Sequence, residues 1–212
     1  MPKKTFYNIP EEKRERITRT LIKYFAEKPY SKVDVEDIAK ECGIAKGSMY
    51  QYFENKKDMY FYAIENATKR SLEILKDVNF ENISLFEYVK QSFEFNWDFL
   101  LKYPYEYILL EKSAFYDDSP YREEIREYYE KLTHNILYDF VVKNQKAGFI
   151  RDDIPPEMIM TFIEGTSWAF KKFLVSLTRS KGMKMKDLSK EYVKDLQNYY
   201  LKILEEGIGK KK

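Results

Sequence analysis

The sequence predicts an all-α protein from three observations. Glycine is scarce, with 7 among 212 residues, well below the usual share of about 7%, and strand-rich folds need glycine at many turns. The seven prolines stand between stretches of helical periodicity, where proline begins or ends helices. Apolar residues recur at helical spacing along most of the chain, and no alternating strand pattern stands out.

Composition narrows the class of protein further. Hydrophobic residues make up 44% and charged residues 34% of the chain, which predicts a folded globular protein rather than a disordered one. The mean hydropathy is −0.62, and every apolar run is shorter than the roughly 20 residues of a membrane-spanning helix, so no membrane partner is expected. The single cysteine, Cys42, and a polar N-terminus without a leader predict a cytoplasmic location.

Capping and breaking residues delimit the predicted helices. Pro10 opens the first long helix and Pro29 ends it. Asp34 is a good N-cap for a second helix, Gly43 supplies a left-handed turn, and a short helix runs from about Ala45 to Phe53. Longer helices follow, and the segment 117–120 is predicted to cap one of them. Their predicted starts lie near Lys56, Ser84, Pro104, Pro120, Pro156 and Lys186.

Residues 34–53 form a pattern of helix, glycine turn and helix. Met49 and Phe53, four residues apart, would anchor the second helix to the core and leave its N-terminal end facing outward. That arrangement is typical of a helix-turn-helix, whose second helix enters the major groove of DNA. The alternative is an ordinary helical hairpin with a glycine link. The residues predicted to contact DNA are Lys46, Gly47, Ser48, Tyr50, Gln51, Tyr52 and Lys56.

The chemistry of these side chains suits a DNA duplex. Lys46 supplies positive charge, and Gly47 allows the backbone to approach closely. Ser48 and Gln51 carry groups that hydrogen-bond to base edges, while Tyr52 and Lys56 would contact phosphate on the flank. Residues 1–57 hold 13 basic and 9 acidic residues, a balance of +4 against −2 for the remainder. A polyanionic partner is therefore expected at the N-terminal end.

The string from Val35 to Lys56 resembles the N-terminal signature of the tetracycline-repressor (TetR) family of regulators. The matching elements are Ile38-Ala39, the run Gly43 to Tyr50, and Tyr52-Phe53. The resemblance implies a three-helix helix-turn-helix DNA-binding domain at 1–57 and a helical effector-binding and dimerisation domain at 58–212. It also implies a ligand-responsive homodimer, most often a repressor, that binds a near-palindromic operator and is released by a small effector. Gln51 replaces a frequent histidine, so the base preference does not carry over.

Apolar stripes on the C-terminal helices are the candidates for the effector site. By the resemblance, a cavity among them would hold a small hydrophobic or aromatic effector, and the alternative is that the stripes are solid core. The residues predicted to line this cavity are Phe93, Asn96, Trp97, Leu100, Tyr107, Phe115, Tyr129, Thr133, Phe162 and Thr166.

Small residues and apolar stripes near the C-terminus predict a helix bundle between two subunits. Glycine and alanine allow close helix approach, and the resemblance favours a dimer over packing within one chain. The residues predicted at this interface are Gly165, Ala169, Phe173, Leu177, Leu188, Tyr192, Leu196, Tyr199 and Ile203.

An enzyme is not expected. The sequence has one histidine, His134, with no cluster of metal ligands and no glycine-rich phosphate loop, so neither a metal nor a cofactor is predicted. The competing hypothesis to a DNA-binding regulator is a helical sensor or adaptor that binds a small molecule without touching DNA.

Overall fold

A computed structural model describes residues 2–75, 83–115, 117–180, 182 and 187–209, without the side chains at 75, 115, 130–136, 175 and 179. Over these ranges the protein is helical, as predicted, and its extended backbone pairing is an isolated bridge between Ile150 and Gly209. The helices are α1 (Lys4–Tyr7), α2 (Glu11–Glu27), α3 (Val35–Glu41), α4 (Lys46–Tyr52), α5 (Lys56–Leu75), α6 (Leu85–Lys102), α7 (Pro104–Phe115), α8 (Arg122–Lys146), α9 (Pro156–Ser180) and α10 (Lys190–Ile208).

The chain divides into two compact units by its contacts. One unit comprises Met1–Val78 and Asp98–Tyr128, and the other comprises Asn79–Trp97 and Tyr129–Lys212. By packing, therefore, α5 and α7 belong with the N-terminal helices. The division predicted after residue 57 concerns function, and it stays a prediction.

Local signals set the short helices of the first unit. The Asp34 carboxylate accepts a hydrogen bond from the Glu36 amide at 2.8 Å and so caps α3, as predicted. Gly43 then adopts a φ of 65° in the turn before α4, a conformation that favours glycine. Two short elements were not predicted from the sequence: α1, and a 3₁₀ turn at Tyr30–Lys32.

Two clusters form the core of the second unit. In the larger cluster, the Phe93 ring lies 5.2 Å from that of Phe170 and 5.3 Å from that of Tyr200, measured between centroids. The smaller cluster gathers Leu174, Leu188 and Val193 around Trp97. The last helix, α10, begins at Lys190, later than the predicted start near Lys186. The Ser189 hydroxyl accepts a hydrogen bond from the Tyr192 amide and so caps the helix at that point. Residues 183–186 lie outside the described ranges.

Candidate nucleic-acid interface

The α4 helix presents one face to the core and the other to solvent. It is seven residues long, and the Met49 and Phe53 side chains that anchor it are fully buried. On the opposite face Lys46, Gly47, Tyr50 and Gln51 are exposed, and Ser48 is half-buried. The polar end of α4 is therefore open to a partner.

Tyr52 is the exception among the predicted contact residues. Its side chain is only 7% exposed, its ring centroid lies 5.7 Å from that of Phe6, and the Lys13 ammonium lies 5.6 Å from the same ring. The prediction that Tyr52 lies on the outer face is wrong, because positions 49 and 52 are three apart and share the inward face of a helix. Its ring belongs to the core that supports α4.

The two predicted lysine contacts differ in their surroundings. The Lys46 ammonium lies 3.1 Å from the Glu36 carboxylate, and this hydrogen bond raises the pKa of Lys46. Both partners are exposed, so the pair contributes little and leaves Lys46 able to turn to phosphate. Lys56 is half-buried: its ammonium lies 4.6 Å from the Tyr30 ring centroid, and burial lowers its pKa.

Gly47 lies inside α4 without any need for glycine in this chain. Its backbone is helical rather than left-handed, and a Cβ built on it would meet no atom within 4 Å. Glycine in a helix interior costs about 1 kcal/mol relative to alanine. The space beside Gly47 is therefore open on the exposed side of α4.

A buried carboxylate joins the helix-turn-helix to the segment that follows α7. Asp117 accepts hydrogen bonds from the Tyr60 hydroxyl at 2.6 Å and from the Tyr30 amide at 3.0 Å. Asp118 accepts from the Ser31 amide at 3.1 Å and from the Ser31 hydroxyl, which lowers the pKa of Asp118. Of the segment 117–120 that was predicted to cap the next helix, Ser119 does so, because its hydroxyl accepts from the Tyr121 amide at 3.1 Å, whereas Asp117 and Asp118 bind the 3₁₀ turn at Tyr30–Lys32 instead.

Lys112 of α7 completes this junction. Its ammonium lies 3.8 Å from the Asp117 carboxylate and donates to the carbonyls of Phe25, at 2.8 Å, and Lys28. Burial lowers the pKa of Lys112, and the charge of Asp117 opposes that shift. The end of α2, the turn after it, α5 and α7 thus meet at one ion pair. The side chains of Asp117 and Lys112 are 1% and 17% exposed.

The residues predicted for the effector site fall into different surroundings. Leu100 is buried in the first unit, where the Tyr107 ring packs near Phe99. Phe93 and Trp97 are buried in the two clusters of the second unit. Among the remaining positions, Asn96 donates a hydrogen bond to the Ser92 carbonyl of its own helix, and the Thr166 hydroxyl lies 2.9 Å from the Tyr200 hydroxyl. Tyr129 is half-buried and Phe162 is exposed. The side chains of Phe115 and Thr133 lie outside the described residues.

Phe162 does not line an interior cavity. Its side chain is exposed on α9, so the prediction that it faces an effector inside the protomer is wrong. It lies three residues before Gly165 and therefore on the same helical face. A polar cleft of about 210 Å³ lies elsewhere, lined by residues of α2 and α5, and it includes none of the predicted effector residues.

The predicted dimer residues differ in their exposure. Phe173, Tyr192, Tyr199 and Ile203 are large and exposed, and Gly165 and Ala169 lie on the surface with them. Leu177 and Leu196 are half-buried. Leu188 is 7% exposed and packs in the cluster around Trp97, so its placement at a subunit interface is wrong.

Within the part of the chain that the structure describes, no three His, Cys, Asp or Glu side chains gather as a metal site would require. No described helix has the length and apolar character needed to cross a membrane.

Two groups of supporting residues were not predicted from the sequence. Lys3, Thr5 and Phe6 hold the end of α4, and the ion pair of Lys112 and Asp117 binds the end of α2 and the turn that follows it. The one signal at the N-terminus was an apolar pair, Phe6-Tyr7, ahead of a helix-opening proline.

Comparison with known proteins agrees with this geometry. Residues 17–63 match the family model described as bacterial regulatory proteins of the tetR family. The chain is 30% identical over 129 residues to YerO, an uncharacterised HTH-type transcriptional regulator of Bacillus subtilis, a match covering 58% of this chain and 42% of YerO. It is 25% identical over 193 residues to IcaR, the biofilm operon icaADBC negative transcriptional regulator of Staphylococcus epidermidis, covering 89% of this chain and 99% of IcaR.

A solved structure extends the likeness to the whole chain. The crystal structure of a TetR family transcriptional regulator from Chloroflexus aurantiacus superimposes with a TM-score of 0.78 and 25% sequence identity, and covers 100% of both chains. A short α4 presented after a glycine turn, within an all-helical chain, defines a helix-turn-helix DNA-binding transcription regulator. The family match over residues 17–63 and this likeness over the whole chain together support a TetR family transcriptional regulator.

We expect Asp117→Asn to destabilise the first unit strongly. The variant keeps one oxygen acceptor but leaves the Lys112 ammonium buried without its carboxylate, which should cost on the order of 3 kcal/mol. The free energy of unfolding in urea, with hydrogen exchange of the α2 and α5 amides as the probe of the first unit, measures the loss of stability. Asp118→Asn, at the exposed neighbouring position, is the matched control and should change little. Equal effects of the two variants would contradict a structural role for the buried pair.

Proposed function

We propose that this protein is a cytoplasmic, homodimeric repressor that binds a near-palindromic operator and is released by a small hydrophobic or aromatic effector. The single observation that carries DNA recognition is the open polar end of α4, with a glycine that the protomer itself does not need. Two copies of α4 would enter successive major grooves on one side of the duplex.

Each exposed group on α4 has a role in that contact. Lys46 exchanges Glu36 for a phosphate, and Ser48 and Gln51 hydrogen-bond to base edges. Gly47 lets the sugar-phosphate backbone approach the helix without a Cβ in the way. Tyr50, exposed one turn further on, reaches the flank of the same groove.

Dimerisation through α9 and α10 is supported by their exposed apolar side chains. Tyr199 and Ile203 are both 67% exposed and four residues apart, so they form one stripe on α10. On α9, Phe162, Gly165, Ala169 and Phe173 recur at helical spacing on the surface. A surface this apolar on two adjoining helices is typical of a subunit interface.

The effector site is proposed around Trp97. Its side chain is 7% exposed, and its indole N–H has no hydrogen-bond acceptor among the described residues. A buried donor left unsatisfied costs about 1–3 kcal/mol, so a ligand that supplies an acceptor would be favoured. The apolar neighbours Leu174, Leu188 and Val193 suit the hydrophobic part of such a ligand.

A route from effector to DNA is supported by the junction at Asp117. Because α7 is tied to the turn between α2 and α3, a shift of α7 would carry the helix-turn-helix with it. A coupling of about 1–3 kcal/mol is enough for regulation. Repression rather than activation is favoured by the likeness to IcaR, which is a negative regulator.

Selection of bound duplexes from a random pool should enrich a near-palindrome with two half-sites about one helical turn apart. On the enriched duplex, Lys46→Ala should weaken binding and reduce the slope of log K against log salt by about 0.9 per protomer, the value for one phosphate contact. Gly47→Ala should also weaken binding although it favours the helix. Lys69→Ala, which breaks an exposed pair with Glu65 on α5, is the control and should bind normally. No enrichment at low salt would favour a sensor that does not bind DNA.

Replacing Tyr199 and Ile203 together by glutamate should convert the protein to a monomer in sedimentation velocity, because each protomer would bury two charges at the interface. Leu72→Glu introduces a charge at a residue of α5 that is 51% exposed and should leave the dimer intact. A wild-type protein that sediments as a monomer throughout would refute the proposed interface.

Trp97 fluorescence should report the effector. In a Trp168→Phe background, which removes the second tryptophan, an aromatic compound carrying a hydrogen-bond acceptor should shift the emission and release the duplex. In Trp97→Phe the emission response should vanish and the affinity for the same compound should fall by about tenfold, the value of one hydrogen bond. A compound that releases DNA equally well from Trp97→Phe would place the effector elsewhere.

A further inference from the structure

The C-terminal end of α4 is closed by residues from the start of the chain. The last carbonyls of a helix have no partner within it. Here the Tyr50 carbonyl accepts from the Lys3 ammonium at 2.9 Å, the Gln51 carbonyl from the Thr5 hydroxyl at 2.6 Å, and the Tyr52 carbonyl from the Lys3 amide at 2.8 Å. The final turn of α4 is thus satisfied by residues 46 and more positions away in sequence.

Phe6 fixes this arrangement to the core. Its side chain is fully buried, and its ring centroid lies 5.0 Å from that of Phe53 and 5.2 Å from that of Tyr62. Because Phe6 follows Thr5 directly, burial of the ring holds the hydroxyl and the Lys3 backbone at the end of α4. The ammonium of Lys3 also lies at the negative end of the α4 dipole, where a cation is favoured.

We propose that residues 3–6 are a positioning element for DNA recognition, which caps α4 and raises operator affinity without contacting DNA. The proposal rests on the DNA binding proposed above. A helix of seven residues is marginal on its own, so fraying of its last turn would move Gln51 and Tyr50 out of register with the groove. The cap removes that freedom before the duplex arrives, and less order has to be created on binding.

The test uses a capping variant and a matched control. Lys3→Met with Thr5→Val removes the ammonium and the hydroxyl at nearly constant shape. Lys4→Met with Thr5→Ser removes the same charge one residue further on, at an exposed position, and keeps a hydroxyl. The urea midpoint of each variant is compared with wild type, so that a general loss of stability is recognised.

The free protein gives the first measurement. The Phe53 amide, which donates to the Met49 carbonyl at 2.8 Å, should exchange about tenfold faster in the capping variant, as expected for loss of a helix cap. Amides of α2 and the whole of the control variant should exchange as in wild type. Unchanged exchange at Phe53 would overturn the cap itself.

Binding to the enriched duplex gives the second measurement. The capping variant should bind about five- to tenfold more weakly, the cost of one or two caps, with the same slope of log K against log salt as the control. If the slope of the capping variant is smaller than that of the control by about 0.9, the value for one phosphate contact, then Lys3 touches phosphate and a positioning role is overturned. Affinity equal to the control would also overturn it. Failure of wild type to bind any duplex would instead overturn the proposed function, and the exchange data would then establish a cap with no role in DNA recognition.

Discussion

The organisation of the first unit follows from one constraint, the shortness of α4, the helix that we propose meets DNA. Seven residues form too few backbone hydrogen bonds to hold a helix in water, so α4 must be stabilised from outside. The structure does this on its inner side with Met49 and Phe53, at its start with the Gly43 turn, and at its end with Lys3 and Thr5. Every outward position is thereby left for recognition, because stability comes from elsewhere.

The turn between α2 and α3 is also short and is held from outside by a buried pair of charges. The turn at Tyr30–Lys32 has few backbone bonds of its own, and Asp117 and Asp118 supply acceptors for its amides. Burying Lys112 and Asp117 costs desolvation free energy, but removing either partner would leave the other charge buried and unpaired, which costs more. The pair therefore fixes one arrangement of the turn relative to α7 rather than adding much stability, and a defined arrangement is what a regulator needs in order to have two distinct states.

The second unit divides its apolar residues between interior and surface. Phe93 packs edge to face against Phe170 and Tyr200 in its core. Tyr199 and Ile203, on the same helix as Tyr200, face outward. Tyr199 is exposed and the adjacent Tyr200 is buried, so α10 carries large side chains on its exposed face as well as on its buried face. The exposed apolar pair Tyr199 and Ile203 is the physical argument for the proposed second subunit against α10.

The sequence by itself determined what depends on near neighbours. Asp34 as a cap, Gly43 as a turn, Met49 and Phe53 as anchors, and the polar end of α4 all follow from spacings of a few residues, and the structure agrees with them. Tertiary structure decided the rest. Thr5 reaches Gln51 across 46 residues, and Asp117 reaches Tyr30 across 87. Periodicity places a residue on a face of its own helix, so the spacing of Tyr52 from Met49 already points Tyr52 inward. It does not say which distant segment will cover a face, so the burial of Leu188 and the cap on α4 were visible only in the folded chain.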